Sequence, residues 1–281
     1  LEFYIGHSKR NKHRFGTWFG TSEQFPGSNQ INPIANIQNP IYTIQGDFNL
    51  DPYVKYSWGA NYNKQNRSKN RYFSVNTNHN FTPNAVMTSQ IRDTNNVSFT
   101  TYENRKNTLW NGINLYYSFV VPKLNMEVGL SAGANNYQFY TELNNELYKN
   151  SRFTMSPGID VSFEFDDLEL NLEYEPNYNL QTAGFVSANP SYWSHNFVTE
   201  VVYDVTDRIQ VSSEFDVFYF EGQQVGQKQL ISLLNAEINW TLDSMQKWTL
   251  GLIGYDILNQ NQNIDRNFFG NSFSETRQNA I

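Results

Sequence analysis

Polar and apolar side chains alternate one by one along most of this chain. Leu168, Leu170, Leu172 and Tyr174 alternate with Glu169, Asn171, Glu173 and Glu175, and Ile159, Val161, Phe163 and Phe165 with Asp160, Ser162, Glu164 and Asp166. Successive side chains of a strand point to opposite faces, so this period of two predicts strands with one apolar face and one polar, often acidic face. A soluble sandwich shows the same alternation, so the pattern alone leaves two folds open. No helix of ordinary length is predicted. The runs Arg71 to Arg92, Val97 to Val121 and Met126 to Thr141 read as extended for ~15 or more residues, whereas globular strands usually run about 3 to 10 and a bilayer span needs ~9 to 11. Within the second run, Ile113, Leu115, Tyr117, Phe119 and Val121 alternate with Gly112, Asn114, Tyr116, Ser118 and Val120. Upstream of them, Tyr102 to Asn107 is polar on both faces and fits a strand end standing above a membrane.

The expected connections fall into two sets. Gln65 to Lys69, Val121 to Leu124, Asp166-Asp167, Thr206 to Arg208 and Asp243 to Lys247 are tight. His13 to Leu50, Leu143 to Lys149, Thr182 to Pro190, Glu221 to Lys228 and Asn259 to Gly270 are longer, with the short Asp93 to Asn96 among them by position. Short turns at one end and longer loops at the other match an outer-membrane barrel. The apolar face is expected to carry Met126, Val128, Leu130 and Ala132; Phe197, Val201 and Tyr203; Ile209, Val211, Phe215 and Val217; Leu234, Ala236, Ile238, Trp240 and Leu242; and Trp248, Leu250 and Leu252. Aromatics recur near the tight turns (Phe119, Phe165, Tyr203, Trp240, Trp248), where an interfacial girdle would sit. About twelve spans are expected. Leu1 and the run Phe273 to Ile281 read as strands cut short, the start lacks a signal peptide or an initiating Met, and an open sheet edge is not viable in lipid. Further strands are therefore expected, on the N-terminal side.

Composition narrows the field. The 281 residues include 21 Phe, 18 Tyr and 6 Trp, far too many aromatics for a disordered chain. No stretch approaches the ~20 apolar residues of a transmembrane helix. The absence of cysteine removes disulfides and thiolate metal sites. A net charge of -7 argues against nucleic acid as a partner, which needs a basic footprint.

Four stretches resemble a known family, the Bacteroidetes-type outer-membrane β-barrels related to TonB-dependent receptors. Leu1 to Arg10 resembles a barrel strand preceding a long loop. Asn32-Pro33 through Asn39-Pro40-Ile41-Tyr42, followed by Gly46-Asp47-Phe48-Asn49-Leu50-Asp51-Pro52-Tyr53, is similar to the family's Gly-Asn-Pro-x-Leu-Lys-Pro-Glu element, with Phe48 in place of the usual proline and Asp51 in place of the lysine. Tyr255 to Asn261 resembles a late barrel signature, Asp-x-Leu-Asn-Gln, and Glu275 to Ile281 the start of a last strand. The resemblance implies an all-β transmembrane antiparallel barrel of about twenty-two strands, of which this chain would hold the last twelve or so, with a plug that this stretch does not contain. It implies a place in the bacterial outer membrane among lipid and lipopolysaccharide. It names a plug domain, TonB, a surface lipoprotein and other outer-membrane subunits as the partners to expect.

Candidate chemistry is sparse. Gly129-Leu130-Ser131-Ala132-Gly133 fits a nucleophile elbow in letters only, because that motif needs a sharp strand-to-helix turn and here the alternation runs straight through. His7, His13, His79 and His195 are scattered, without metal-site spacing. No cofactor, metal or enzymatic activity is expected. The acids Glu127, Asp160, Glu164, Glu169, Glu173, Glu200, Glu214, Asp216 and Glu237 fall on inward positions, within expected ion-pair reach of Arg152 and Lys247, and are candidates for lining a lumen. Phe15, Trp18, Phe19 and Phe25 fall in the long loop expected over 13–50 and are candidates for ligand or partner contact, or for a lid. Two functions follow from the family resemblance: uptake of a nutrient or metal complex across the outer membrane, or a non-transporting accessory barrel in an outer-membrane complex. A soluble sandwich or adhesin stalk is a third reading. The face assignment predicts that Leu170→Arg blocks assembly, an arginine at mid-bilayer costing ~2–4 kcal/mol, whereas Asn171→Arg is tolerated. Heat-modifiable migration in detergent reads both variants, and equal tolerance would contradict a bilayer.

Overall fold

The structure, a computed structural model, describes residues 2–3, 11–39, 41–95, 97–184, 191–221, 228–243, 248–260, 262–269 and 272–279, with backbone alone at 2–3, 11, 37–39, 262–269 and 272–279. Most of the first resembling stretch, His7 included, together with Lys247, Asn261, the terminal Ala280-Ile281 and much of the expected loops at 185–190 and 222–227, lies outside the described residues.

Sixteen strands are described: β1 (Glu2–Phe3), β2 (Asn11–Gln24), β3 (Asn36–Asn39), β4 (Tyr42–Ile44), β5 (Tyr53–Asn66), β6 (Arg71–Arg92), β7 (Ser98–Val121), β8 (Met126–Leu143), β9 (Glu146–Glu164), β10 (Leu168–Ala183), β11 (Ser191–Thr206), β12 (Ile209–Glu221), β13 (Lys228–Thr241), β14 (Thr249–Gly254), β15 (Gln262–Phe269) and β16 (Ser272–Asn279). The helical residues among those described are one turn at Ser28–Ile31 and a 3-10 turn at Pro122–Leu124. β1, β2 and β5 through β14 form an antiparallel meander of twelve strands, β3 and β4 attach at one end, and β15 and β16 pair with each other. Among the described residues no ladder joins β14 to β1, so the sheet is not closed.

Three expected loops are shorter than the sequence suggested. β2 occupies most of the first half of the loop expected over 13–50, and the connection runs instead from 25 to 52. His13, Phe15, Thr17, Phe19 and Thr21 keep the period of two and pair with β5 across all fourteen positions of β2. The expected loop Leu143 to Lys149 is only Asn144-Asn145, both at positive φ (51° and 65°), the backbone of a two-residue type I′ hairpin. Most of Asn259 to Gly270 is strand β15. The sorting of short and long connections is therefore incomplete, because one of the shortest turns lies at the end expected to carry long loops.

The register has a constant stagger. Arg71, the first residue of β6, lies abreast of Phe119, Val128, Val161, Leu172, Thr199 and Phe215 in successive strands. Val128 is two residues into β8, Leu172 four into β10 and Phe215 six into β12, a drift of one residue per strand in one direction. A shift of ~3.4 Å for every ~4.8 Å of sheet corresponds to strands tilted by about 35°, the stagger that barrel walls require.

The same register gathers the apolar positions onto one face, and no second layer covers them. Leu130 is 43% exposed, Ile159 40% and Leu172 38%, and among the described residues no large side chain is fully buried. A sandwich would bury these positions between its sheets. The aromatics edge this face on both sides. Phe73, Tyr117, Phe119, Phe163, Tyr203 and Trp240 lie toward the tight turns, and Trp58, Tyr178, Trp193 and Tyr219, with His79 and His195 among them, lie toward the other end. Between Tyr203 and Trp193 on β11 the rise is about 28 Å at this tilt, so the two rows stand at the edges of an apolar band of ~25 Å, as in a membrane barrel. The aromatics near the tight turns were legible in the sequence; the opposite row was not singled out.

Beyond this row the wall changes. A bulge between Thr82 and Val86, with Asn84 at φ 50°, sharpens the twist of the β6–β7 ribbon, as bulges do, and its strands trade neighbours. Thr88–Gln90 of β6 pairs in parallel with β8, and Ser98–Thr100 of β7 pairs with β4. Arg105 of the ribbon bonds the Glu142 carboxylate, and Asn104 exchanges hydrogen bonds with Asp51. Ala85 and Met87 are buried here, and burial raises the Tyr102 phenol above its usual range.

Two aromatic rows predict two matching depths. With every other tryptophan replaced, Trp193 and Trp240 are each quenched more by lipid brominated near the headgroup than near the chain end, while Leu172→Trp shows the reverse order. The same order at all three positions would contradict the band.

Candidate functional site

The polar face of the meander is the candidate site. Every expected inward acid lies on it: Glu127 on β8, Asp160 and Glu164 on β9, Glu169 and Glu173 on β10, Glu200 on β11, Glu214 and Asp216 on β12, and Glu237 on β13. Glu175, not among the expected residues, shares the face opposite Asn196. Three pairs stand directly across from each other, Glu164 with Glu169, Asp160 with Glu173 and Glu200 with Glu214. Like charges so placed repel, and the arrangement is tolerable where water screens them. Amides carry part of the load: Asn171 donates to Glu200 at 3.3 Å, Asn235 to Glu214 at 3.3 Å and Asn239 to Glu237 at 2.8 Å.

Of the two expected cations, Lys247 lies outside the described residues and Arg152 does not serve these acids. Arg152 shares their face but lies between Tyr137 and Gln181, well along β9 from Asp160. Among the described residues no ion pair joins the acids to a Lys or Arg. The reason is spacing: Arg152 and Asp160 are eight residues apart on an extended strand, roughly 26 Å at 3.3 Å per residue.

The wall is uneven. Across β5, β6 and β7 the same face carries Asn61, Asn63, Asn76, Asn78, Asn80 and Asn114, with Ser57 donating to Asn80 at 2.6 Å and Tyr72 to Asn63 at 2.9 Å. Beyond Asp216 it turns apolar: Val198 and Leu233 flank Asp216, and Ile231 lies beside Phe218. The signal for this patch is the run Leu230-Ile231-Ser232-Leu233-Leu234, which is apolar on both faces.

Glycines let large or charged groups lie flat on this wall. A Cβ on Gly129 would collide with the Asp160 carboxylate, and one on Gly59 would collide with the Thr77 carbonyl oxygen and sit 2.7 Å from the Trp18 indole nitrogen. Trp18 is therefore a wall residue opposite Gly59, not a loop contact. Phe15 and Phe19, opposite Tyr62 and Trp58, face the apolar side. Phe25 alone of the four lies outside a strand, and it is exposed. Gly129, Ser131 and Gly133 lie inside β8 with no turn, as the alternation implied. His13, His79 and His195 are on the apolar face, bonded to Tyr62, Asn111 and Tyr174 at 2.8 Å each. Among the described residues no group of His, Asp or Glu is arranged to hold a metal.

The sequence model of the outer membrane protein beta-barrel family matches residues 2–200 of the chain. No curated protein matches it.

Close approach at Gly59 is to backbone and cannot be relieved by a side-chain rotation, whereas the nearest atom to a Cβ on Gly133 is the Asn114 side-chain oxygen at 3.1 Å. Gly59→Ala is expected to destabilise the folded protein by ~1–3 kcal/mol, and Gly133→Ala by far less. Urea midpoints of the refolded protein measure both, and equal shifts would contradict the packing.

Proposed function

The chain belongs to the outer membrane protein beta-barrel family and lies in the bacterial outer membrane; from that premise we propose that its twelve strands form part of a larger barrel, about twenty-two strands as in plugged outer-membrane transporters, that takes up a nutrient or metal complex. Lipid and lipopolysaccharide surround it, a plug domain occupies the lumen, and TonB supplies the energy. The observation that carries this reading is the two-faced wall with its barrel stagger: one face fit for hydrocarbon, the other polar at bilayer depth and lined by unneutralised carboxylates. Such a wall repels anions and accommodates neutral or cationic solutes.

A second reading, an accessory barrel in a multi-protein outer-membrane complex with a surface lipoprotein or other subunits, draws on a different observation. Above the apolar band, Ile91 and Phe99 are register partners, Val97 lies two residues before Phe99, and Ile41, just before β4, accepts the Ser98 N–H. All four are exposed. Exposed apolar groups away from lipid are a mark of protein contact.

Flux into liposomes carrying the full-length protein separates the two. Uptake predicts that a cationic solute enters several-fold faster than an anion of equal size, and that the triple variant Glu173→Gln, Glu214→Gln, Asp216→Asn removes the difference. Liposomes sealed to both solutes, with the barrel intact, would contradict uptake and favour the accessory reading.

A further inference from the structure

We propose that the aromatic row away from the tight turns contains a binding site for the phosphate group of an outer-leaflet lipid, formed by His195 and Lys228 with Trp193 and Tyr219 as its walls. The inference rests on the outer-membrane location of the chain and not on transport.

The site is assembled across β10 to β13 on the apolar face. Tyr174 is paired with Phe197, Tyr178 with Trp193, His195 with Tyr219, and Glu221 with both Trp193 and Lys228. The rings form a continuous set: Tyr174 and Phe197 have centroids 4.3 Å apart, Tyr178 and Trp193 5.0 Å, Trp193 and His195 6.1 Å, and His195 and Tyr219 5.8 Å. An interfacial girdle needs only flat amphipathic rings. This one adds directed polar groups that a girdle does not need.

The Tyr174 hydroxyl lies 2.8 Å from His195 Nδ1. The contact fixes the ring, and in the tautomer in which the phenol donates, the imidazole hydrogen is on Nε2, which has no partner among the described residues and faces the level of the headgroups. Lys228 Nζ lies 2.7 Å from Glu221, and Tyr219 donates to the other Glu221 oxygen at 3.2 Å. One ammonium hydrogen goes to Glu221, and the group keeps donor capacity beyond it. Glu221 thus holds Lys228 on the far side of Tyr219 from His195, so the two donors flank the Tyr219 ring, and an incoming phosphate would meet them together with the Glu221 carboxylate that anchors the lysine. Charge-assisted hydrogen bonds of this kind are the strong ones.

The occupant is a lipid because of what lies below. Phe197 and Leu230, the latter beside Tyr219 and 64% exposed, continue from the donors down the apolar face, so a molecule seated by its phosphate lays its chains on them. A free phosphate would use the donors and leave this surface bare.

The test uses the full-length protein in detergent with lipid A as the probe, in its phosphorylated and its dephosphorylated form, and counts retained lipid by native mass spectrometry. The wild type is expected to hold the phosphorylated form about tenfold more tightly, one charge-assisted contact's worth. His195→Phe with Lys228→Gln keeps the ring stack and is expected to lose that preference. His79→Phe, in the same row but beside Trp58, keeps it. Heat-modifiable migration confirms that each variant is folded. Equal retention of the two lipid forms by the wild type, or an undiminished preference in the double variant, would overturn the proposal.

Discussion

Hydrocarbon offers a peptide group nothing to bond with, and this constraint organises the whole chain. Every amide and carbonyl at bilayer depth must find its partner inside the sheet. The long ladders do this: β10 pairs with β11 from Leu168 to Leu180 and with β9 along most of its length. Once the backbone is satisfied, the side chains are left with two environments, and the pleat assigns them alternately. The strand lengths, the drift of one residue per strand and the aromatic rows at both edges are consequences of fitting such a wall to a bilayer.

The two faces answer to constraints of unequal strictness, and their chemistry shows it. Lipid is uniform, so the outer face between its aromatic rows is carried by Leu, Val, Ile and Ala from β7 to β14, with only small uncharged hydroxyls such as Thr199, Ser213 and Ser232 among them. Water is permissive, so the inner face differs from sector to sector. Amides line β5 to β7, carboxylates line β8 to β13, and an apolar patch interrupts them around Phe218. Among the described residues the acids stand opposite one another without cations, an arrangement that a wet face supports. Gly59 and Gly129 complete this face by letting Trp18 and Asp160 lie flat against the backbone.

How much was legible in the sequence follows from the same asymmetry. The outer face is legible in the sequence because hydrocarbon excludes charge from it, as at Leu168, Leu170 and Leu172. The acids expected to face inward share one face for the same reason, since a period of two that fixes one face fixes the other. The ends of strands were harder. Phe15, Trp18 and Phe19 sit among Gly16, Gly20 and polar residues, a composition that reads as loop, and only the pairing of β2 with β5 makes them strand. Asn144-Asn145 was hidden inside a longer polar run because two left-handed asparagines suffice to turn a hairpin. The alternation puts Arg152 on the face of the acids but says nothing of its height along the strand, and its position on β9 puts it far from Asp160. The exchange of neighbours in the β6–β7 ribbon leaves no trace in the alternation at all, since it depends on accumulated twist beyond a bulge.

The central claim is that lipid and water meet alternate side chains of a single uncovered sheet. The protein has no native cysteine, so single cysteines placed one at a time from 168 to 178 can be probed cleanly in intact membranes, with a lipid-soluble and a water-soluble maleimide in parallel. The account predicts that the lipid-soluble reagent is favoured at 168, 170, 172 and 174 and the water-soluble one at 169, 171, 173 and 175, in strict alternation. Protection of 168, 170 and 172 from both reagents would mean that another protein layer covers them, and the membrane wall would be ruled out.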